Sequence, residues 1–176
     1  VIIDGLNLGR GMSFKNVAGR LEFGGCKQTV TMEELDLNNM EIMGFLGFAI
    51  DSCRTMTGPD MNFPTEMADV ENENFSMNYT SGPKSPLGET GKPTAYGVYV
   101  TLKQAVKFHE GTESLSGKTA ALIGLGAVGW YMGKHLLDEV EKLYIADLNP
   151  ARCQEFIRQH PGKEIEVIPL ETAYYQ

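Results

Sequence analysis

The sequence has few cysteines, few histidines and no long apolar run. Its three cysteines, Cys26, Cys53 and Cys153, are far apart and include no C-x-x-C pair, so neither a redox disulfide nor a metal site is expected and a reducing compartment is favoured. The three histidines lie in different segments without the spacing of metal ligands. No apolar run reaches the ~20 residues needed to span a bilayer, and no signal peptide opens the chain. These absences predict no metal site, no membrane contact and a cytoplasmic location.

Positive charge is also scarce. The chain has 15 Lys and Arg against 23 Asp and Glu, which gives a net charge of −8, and no stripe of basic residues is visible. This balance argues against a nucleic-acid partner and favours a small-molecule ligand. With 176 residues, of which 42% are hydrophobic, the chain can form one large domain or two small ones. It begins at Val1 and offers three strand candidates of a nucleotide fold that usually has about six, so we expect part of a longer polypeptide.

The clearest motif is a glycine-rich turn at residues 120–129, where an apolar run leads into G-L-G-A-V-G and then a helical pattern. Gly124 would permit the tight turn, Gly126 would let the backbone approach a pyrophosphate, and Gly129 would let the helix pack near the strand. Ala127 and Val128 would begin the helix, whose free N–H groups and dipole favour a bound phosphate. The pattern predicts the strand, turn and helix of a dinucleotide site.

A second apolar run, 143–146, ends at Asp147, eighteen residues after Gly129. A carboxylate at this place would accept hydrogen bonds from the adenosine ribose and repel a 2′-phosphate, which favours NAD over NADP. The alternative is that Asp147 only caps the next helix, but Asn149 and Pro150 already supply an N-cap and a first-turn proline.

The first half of the chain predicts mainly helices. Residues 12–21 form one helix candidate, Thr29 and Val30 a short strand end, and residues 31–34 a capping box. A second helix is expected over 38–53, where apolar residues recur at helical spacing. Thr65 is expected to cap a short helix that runs through Val70.

Residues 79–93 are rich in glycine and proline and predict a long loop. Thr94 is expected to cap the following helix, whose apolar stripe contains Val98, Leu102, Ala105, Val106 and Phe108. A connection at 110–117 then leads to the nucleotide strand, which divides the chain into domains 1–112 and 113–176. A helix that bridges two domains would leave a cleft, and the Thr94 end of this helix could lie in it.

Two lysines stand twelve residues apart in distinctive settings. Lys15 follows the apolar Phe14, and Lys27 comes shortly after Gly24 and Gly25, which would let the backbone approach a ligand. Two ammonium groups in one cleft would repel each other, which favours a neutral form of one of them as a base. The alternative for either lysine is an ordinary solvated side chain.

Five motifs follow one another along the chain: M-S-F-K at 12–15, G-G-C-K at 24–27, G-P-D-M at 58–61, K-P-T-A-Y-G-V-Y at 92–99 and G-L-G-A-V-G at 124–129. In this order and spacing they resemble the glutamate, leucine, phenylalanine and valine dehydrogenase superfamily, and the short leucine or valine type most closely. The implied fold is α/β: part of a catalytic domain followed by the first half of a Rossmann NAD-binding domain with a doubly wound parallel sheet.

The resemblance implies roles for particular residues. Lys15 would hold the substrate α-carboxylate beside Gly24 and Gly25, Lys27 would activate the water that attacks an imino intermediate, and Asp60 would move protons to and from the amino group. The alternative for Asp60 is a simple turn aspartate. Thr94 would lie near the nicotinamide carboxamide.

Two departures from the family pattern stand out. Cys26 occupies the place of a usual glycine, and the glycine-rich strand that family members carry upstream of Lys15 is absent.

The expected activity is the NAD-dependent, reversible oxidative deamination of an L-amino acid to a 2-oxo acid and ammonia. The resemblance favours a branched-chain aliphatic substrate and a homo-oligomer. The alternatives are an aromatic amino acid dehydrogenase and a truncated or diverged NAD-binding member without turnover. An unrelated Rossmann oxidoreductase would tolerate substitution of Lys15 and Asp60.

Overall fold

The computed structural model describes residues 1–32, 36, 38–78, 84 and 88–175. They form two units, Val1–Glu89 and Thr90–Gln176, each with its own internal packing. No described helix is both long and apolar enough to cross a membrane.

The first unit begins with helix α1, Ile2–Ala18, which starts ten residues earlier than expected and ends before Leu21. Two glycines near its start face the segment that follows it. A Cβ at Gly5 would stand 2.9 Å from Cγ2 of Thr29, which is too close, whereas one at Gly9 would stand 3.8 Å from the Lys27 nitrogen, an ordinary contact distance. The close approach at Gly5 accompanies a helical cost of glycine of about 1 kcal/mol per residue.

The segment after α1 has no regular structure in its described part. The strand end expected at Thr29 and Val30 is not present. The capping box expected at 31–34 lies partly outside the described residues, because Glu33 and Glu34 are not among them.

Helix α2, Met40–Ser52, confirms the helix expected over 38–53. Its N-cap is Asn39, whose side chain accepts from the Glu41 nitrogen at 3.0 Å and the Ile42 nitrogen at 3.4 Å. The buried face consists of Met43, Gly47 and Ile50 at helical spacing, while most of the side chain of Phe45 is exposed.

Helix α3, Thr65–Asn74, extends four residues beyond the expected end, and its N-cap is Pro64. The capping role expected for Thr65 is therefore wrong. Gly47 lets α3 approach α2, since a Cβ there would stand 2.7 Å from Cβ of Phe75 and 3.0 Å from Oε2 of Glu71.

The second unit contains the expected α/β pattern. After helix α4, Gly91–Glu110, the chain forms β1 (Thr119–Ile123), α5 (Ala127–Leu137), β2 (Lys142–Ala146), α6 (Pro150–Gln159) and β3 (Ile165–Val167), and then a 3-10 turn over Leu170–Tyr175. The strands form a parallel sheet in the order β1-β2-β3, in which Leu122 pairs with Ile145 and Ile145 with Val167. Fully buried Leu143, Ile145 and Phe156 anchor its core. The predicted α/β class is confirmed.

Helix α4 begins at Gly91 and not at Thr94. Its N-cap is Thr90, and Pro93 lies in the first turn, where the missing N–H costs no hydrogen bond. The capping role expected for Thr94 is therefore wrong. Buried Ala95 and half-buried Leu102 and Val106 face the core of this unit.

Three residues of the expected apolar stripe on α4 are instead exposed, namely Val98, Ala105 and Phe108. Helix α4 packs on α5, so it belongs to the second unit. The functional boundary between 112 and 113 stays a prediction.

Glu71 is a buried acid in the first unit. Its side chain is fully buried on α3, and neither carboxylate oxygen has a hydrogen-bond partner among the described residues. Burial raises the pKa of Glu71 to about 7, because the charged form loses its water.

The folded protein should therefore lose stability as the pH rises from about 4.5 to about 7, where the unfolded chain releases this proton and the folded chain keeps it. Above that pH range, the free energy of unfolding stays lower by a constant amount, about 3 kcal/mol. Glu71→Gln should remove this slope, measured by urea unfolding at several pH values. Glu66→Gln removes the same charge from an exposed site on α3 and should leave the slope unchanged; equal slopes in all three proteins would contradict the assignment.

Candidate functional site

Lys27 and Asp60 are brought together by two short local structures. The backbone before Lys27 lies against α1, where the Gly25 nitrogen donates to Oγ of Ser13 at 3.0 Å. A Cβ at Gly25 would overlap the Ser13 nitrogen and the Gly9 carbonyl, so only glycine permits this approach. Gly24 is exposed and has open space around it.

Asp60 lies at the start of a tight turn. Its nitrogen donates to the Phe63 carbonyl and the Phe63 nitrogen donates to its carbonyl, both at 3.0 Å. Asn62 closes the turn with a φ of 60°, a left-handed conformation that asparagine tolerates better than most residues. The Asp60 carboxylate is thereby presented from a fixed backbone.

The ammonium of Lys27 forms an ion pair with Oδ2 of Asp60, although the two residues are thirty-three positions apart in sequence. Oδ1 of Asp60 accepts from the Met61 nitrogen at 2.8 Å. The Lys27 side chain is 22% exposed, so it is partly shielded from water but still accessible to a ligand. An amine and a carboxylate in contact can pass a proton between them.

Lys27 also lines a cavity of about 500 Å³ beside α1. The cavity mixes apolar, small and cationic residues: Ile2, Gly5, Leu6, Gly9, Arg10, Ser13, Gly25, Cys26, Lys27 and Thr29. Lys15 is exposed and is not among these residues, because α1 turns it to a different face from Gly9 and Ser13. The structure therefore brings Lys27, Asp60 and Gly25 together without Lys15, whose role stays a prediction.

Cys26 lines this cavity next to Lys27. Its thiol lies 3.7 Å from the Met56 carbonyl, to which it donates, and 3.8 Å from Nε2 of Gln28, from which it accepts. The sulfur is therefore held on the cavity wall at the place where the resemblance expects a glycine.

The glycine-rich turn of the second unit has the geometry that its sequence predicts. Gly124 has a φ of 92°, and its nitrogen donates to the Ala146 carbonyl at 2.7 Å. A Cβ at Gly129 would overlap the Gly124 carbonyl oxygen, so α5 packs directly against the turn. Gly126 is the N-cap of α5, and a Cβ there would stand 3.8 Å from Nη1 of Arg152, an ordinary contact distance.

Helix α5 leaves backbone donors at its start. Its ladder begins with the bond from the Trp130 nitrogen to the Gly126 carbonyl at 2.9 Å. The N–H groups of Ala127, Val128 and Gly129 precede this bond and have no carbonyl within the helix. Such donors, together with the helix dipole, suit a diphosphate.

Asp147 stands at the end of β2 beside this turn. Oδ2 accepts from the Leu125 nitrogen at 2.6 Å, and Oδ1 accepts from the Asn149 nitrogen at 2.7 Å. These backbone donors, with Leu125 the larger cause, hold the pKa of Asp147 below its usual range. Asn149 caps α6 through the Ala151 nitrogen at 3.1 Å, so Asp147 is not that cap.

We expect Asp147→Asn to destabilise the protein by about 1 kcal/mol at neutral pH, since charged acceptors bond more strongly than neutral ones. Because folding lowers the pKa of Asp147, the stabilisation is present above the unfolded value near 3.8 and is lost as the pH falls through the folded value. The difference in unfolding free energy between the two proteins should shrink toward zero in acid. A difference that is the same at pH 3 and pH 7 would contradict this origin.

Thr94 lies one turn into α4, near the glycine-rich turn. At the start of this helix, a Cβ on Gly91 would stand 2.5 Å from the Ala127 carbonyl oxygen. The Thr94 nitrogen donates to the Thr90 carbonyl at 3.1 Å, and its side chain is exposed. Because Thr94 is not the N-cap, its hydroxyl is not needed to hold the helix end, and a contact with a cofactor stays a prediction.

Two arginines near these sites were missed by the sequence reasoning. Arg10 lines the cavity of Lys27, and its position on the same helical face as Gly9 and Ser13 could have indicated this. Arg152 contacts the glycine-rich turn through the Leu125 carbonyl at 3.2 Å. Its place five residues after Asp147, in the first turn of α6, was the available signal. Among the residues that the structure describes, no group of three or more His, Cys, Asp or Glu could hold a metal ion.

The chain is similar to several amino acid dehydrogenases. It is 34% identical to leucine dehydrogenase of Thermoactinomyces intermedius, over 94% of this chain and 48% of that protein. It is 29% identical to valine dehydrogenase of Streptomyces albus, over 92% and 45% of the two chains, and 32% identical to phenylalanine dehydrogenase of Lysinibacillus sphaericus, over 83% and 39%. The chain spans about half the length of the curated relatives it matches. No protein-family model matches it.

Solved structures give the same result for the fold. L-tryptophan dehydrogenase from Nostoc punctiforme matches with a TM-score of 0.63 and 24% identity, over 94% of this chain and 47% of that one. A hetero-hexameric glutamate dehydrogenase from Thermus thermophilus matches with a TM-score of 0.66 and 19% identity, over 96% and 47%. The resemblance that the five motifs indicate is confirmed: the chain is a homologue of the leucine, valine and phenylalanine dehydrogenases.

Proposed function

We propose that this homologue of the leucine and valine dehydrogenases carries out the NAD-dependent oxidative deamination of an L-amino acid. The observation that carries the proposal is the ion pair between Asp60 and Lys27, a lysine that lines an open cavity. The reaction converts the amino acid, water and NAD⁺ to the 2-oxo acid, ammonium, NADH and a proton, and it is reversible.

Lys27 is the general base of the proposed reaction, in the neutral form that it takes when Asp60 holds the proton of the ion pair. After hydride leaves the substrate Cα, the carbon bears an imino group, and Lys27 takes a proton from the water that attacks this carbon. Asp60 contacts Lys27 and moves protons to and from the departing nitrogen. The ion pair keeps both groups in the geometry that proton transfer needs, within reach of the same cavity.

The substrate α-carboxylate needs a cation. The resemblance assigns this role to Lys15, while the cavity itself contains Arg10 and Lys27. A guanidinium can bind a carboxylate through two parallel hydrogen bonds. We propose Lys15 as the residue that binds the substrate α-carboxylate. Arg10 is the alternative, because it lines the cavity.

NAD is the proposed cofactor, and it supplies the hydride acceptor when bound. The second unit fits it: Gly124 and Gly129 shape the turn, and Gly126, Ala127 and Val128 offer open backbone donors to a diphosphate. The carboxylate of Asp147 would accept from a ribose hydroxyl. Thr94 is the proposed contact for the carboxamide.

A branched-chain aliphatic substrate is favoured. Leucine and valine dehydrogenases are among the relatives. The phenylalanine dehydrogenase relative supports an aromatic substrate as the second candidate. A homo-oligomer in the cytoplasm is part of the same proposal.

The deciding experiment is NADH formation, followed by absorbance, with L-leucine, L-valine, L-phenylalanine and L-glutamate offered in parallel. Turnover with leucine or valine supports the branched-chain proposal, and turnover with phenylalanine alone supports the aromatic one. If all four are silent while NAD still binds, the chain is a dinucleotide-binding protein without this activity.

A further inference from the structure

We propose that Gln28 is a positioning residue, whose side-chain amide holds the general base Lys27 against Asp60. The inference rests on the proposed oxidative deamination, for which these two groups must stay within reach of each other. Among the residues that the structure describes, those that line the cavity do not include Gln28. Its effect on the reaction therefore passes through Lys27 and not through a contact with the substrate.

The Gln28 amide nitrogen makes two contacts. Nε2 donates to Oγ1 of Thr55 at 3.1 Å and to Sγ of Cys26 at 3.8 Å. The Cys26 thiol in turn donates to the Met56 carbonyl at 3.7 Å. Both sequence neighbours of Lys27 are thereby joined to residues at the start of the loop that follows α2.

Thr55 is itself fixed to the end of α2. Its Oγ1 donates to the Ile50 carbonyl at 3.3 Å, and its backbone nitrogen donates to the same carbonyl at 3.2 Å. Ile50 is buried on α2. The Thr55 hydroxyl therefore accepts from Gln28 and donates its one proton to Ile50, so every donor in this chain of contacts has an acceptor. Gln28 is tied in this way to a packed helix.

The loop from Thr55 to Asp60 is also held in place. Asp60 lies only five positions after Thr55, and between them the Thr57 nitrogen donates to the Asn78 carbonyl at 3.0 Å. The turn at Asp60 is closed by its own backbone hydrogen bonds. Because the backbone of Asp60 is fixed, a displacement of Lys27 changes the distance between the ammonium and the carboxylate directly.

The ion pair alone restrains Lys27 only weakly. Its two side chains are 22% and 48% exposed, and exposed ion pairs contribute little free energy. Lysine has a flexible four-carbon stem, and the segment around Lys27 has no regular secondary structure. A misplacement of about 1 Å can lower a rate by about 100-fold. Contacts on both sides of Lys27 therefore determine how often the amine and the carboxylate stand in the geometry that proton transfer needs.

The opposing interpretation is that Gln28 makes an ordinary surface hydrogen bond. In that case its loss lowers the free energy of unfolding slightly and leaves the turnover of the folded protein unchanged. A positioning role predicts instead that one variant lowers kcat and also makes the Lys27 nitrogen more accessible.

The first test is steady-state NADH formation by Gln28→Met, which keeps the length of the side chain and removes the amide. We expect kcat to fall about fivefold or more and KM for the amino acid to change by less than about threefold, because the cavity lining is intact. Thr55→Val removes the hydroxyl at the other end and should have the same effect. The double variant should be little slower than either single one, since both remove one contact. Thr55→Ser keeps the hydroxyl and should restore kcat to within about twofold of wild type.

The second test needs no turnover. Formaldehyde and cyanoborohydride methylate accessible amines, and mass spectrometry of the digested protein gives the rate at Lys27 relative to exposed Lys92. The pair with Asp60 shields the Lys27 nitrogen, so more frequent opening in Gln28→Met should raise this relative rate by about threefold. Gln104→Met removes an amide hydrogen bond of the same length, 3.1 Å, from the other unit and should change neither kcat nor the labelling of Lys27.

The remaining outcomes contradict the inference. It fails if Gln28→Met keeps the wild-type kcat, if kcat falls while the labelling of Lys27 is unchanged, or if Thr55→Ser is as slow as Thr55→Val. If wild type forms no NADH while the labelling of Lys27 rises in Gln28→Met, Gln28 does hold Lys27 and the proposed function fails. If neither turnover nor a change in labelling is seen, both fail.

Discussion

Replacing Lys27 by alanine is expected to lower kcat for amino acid oxidation by about 10²- to 10⁴-fold, the usual contribution of a positioned acid or base. Lys27 contacts Asp60 and lines the cavity, so the variant loses the proton acceptor and leaves the carboxylate without its partner. The glycine-rich turn belongs to the other unit, so the Kd for NAD should change by less than about twofold. Steady-state NADH formation and NAD titration measure the two effects separately.

Asp60→Asn provides a second variant with nearly unchanged shape. It should also lower kcat strongly, and the double variant should be little worse than either single one, because groups that act as a unit are not additive. Lys107→Ala breaks the exposed pair with Glu113 and serves as the control, with unchanged turnover. If Lys27→Ala retains wild-type kcat, Lys27 is not the base and the catalytic assignment is withdrawn.

The sequence was sufficient to predict the conformation of the glycine-rich turn, because each glycine there meets a distinct steric requirement. The positive φ of Gly124, the close approach at Gly129 and the position of Gly126 at the start of α5 all follow from the motif. Local patterns of this kind are predictable because neighbours in sequence determine them. The N-cap role of Asn149 belongs to the same class.

Predictions failed where distant residues decide the local structure. Helix α1 runs through Gly5 and Gly9 because the segment from Gly25 to Thr29 packs onto it, which nothing within the helix indicates. Pro93 suggested a loop, yet it lies in the first turn of α4, where proline is tolerated, and this moved the cap from Thr94 to Thr90.

The sequence indicated which residues belong to the candidate site, but not how they are arranged in space. Resemblance to known enzymes selected Lys27 and Asp60, but spacing alone does not show that the turn at Asp60 and the irregular segment after Gly25 meet in an ion pair. Arg152 was missed because its role depends on how α6 folds back on the glycine-rich turn. Nothing in the sequence around Glu71 indicates its burial, because that burial depends on the packing of α3 against Gly47 of α2.

Gly129→Ala is expected to destabilise the second unit by about 3 kcal/mol or more, as overpacking against fixed backbone does. The added Cβ would overlap the Gly124 carbonyl oxygen, which cannot move freely because the Gly124 nitrogen is bonded to the Ala146 carbonyl at 2.7 Å. Urea unfolding can be followed by fluorescence of Trp130, the single tryptophan, whose ring lies 5.1 Å from that of Phe156 in the same unit.

Two glycine variants separate folding from ligand binding. Gly126→Ala adds a Cβ at an ordinary contact distance, 3.8 Å from Nη1 of Arg152, at a residue with ordinary φ, so stability should change by less than about 1 kcal/mol. The Kd for NAD should rise, because the new methyl group stands where a pyrophosphate approaches. Gly97→Ala, in an open position within α4, should be neutral or stabilising by up to about 1 kcal/mol.

A Gly129→Ala protein that unfolds at the same urea concentration as wild type would show that the backbone of the turn can move to accommodate the methyl group. In that case the role of Gly129 would be limited to the ligand, and its loss would appear in NAD affinity alone.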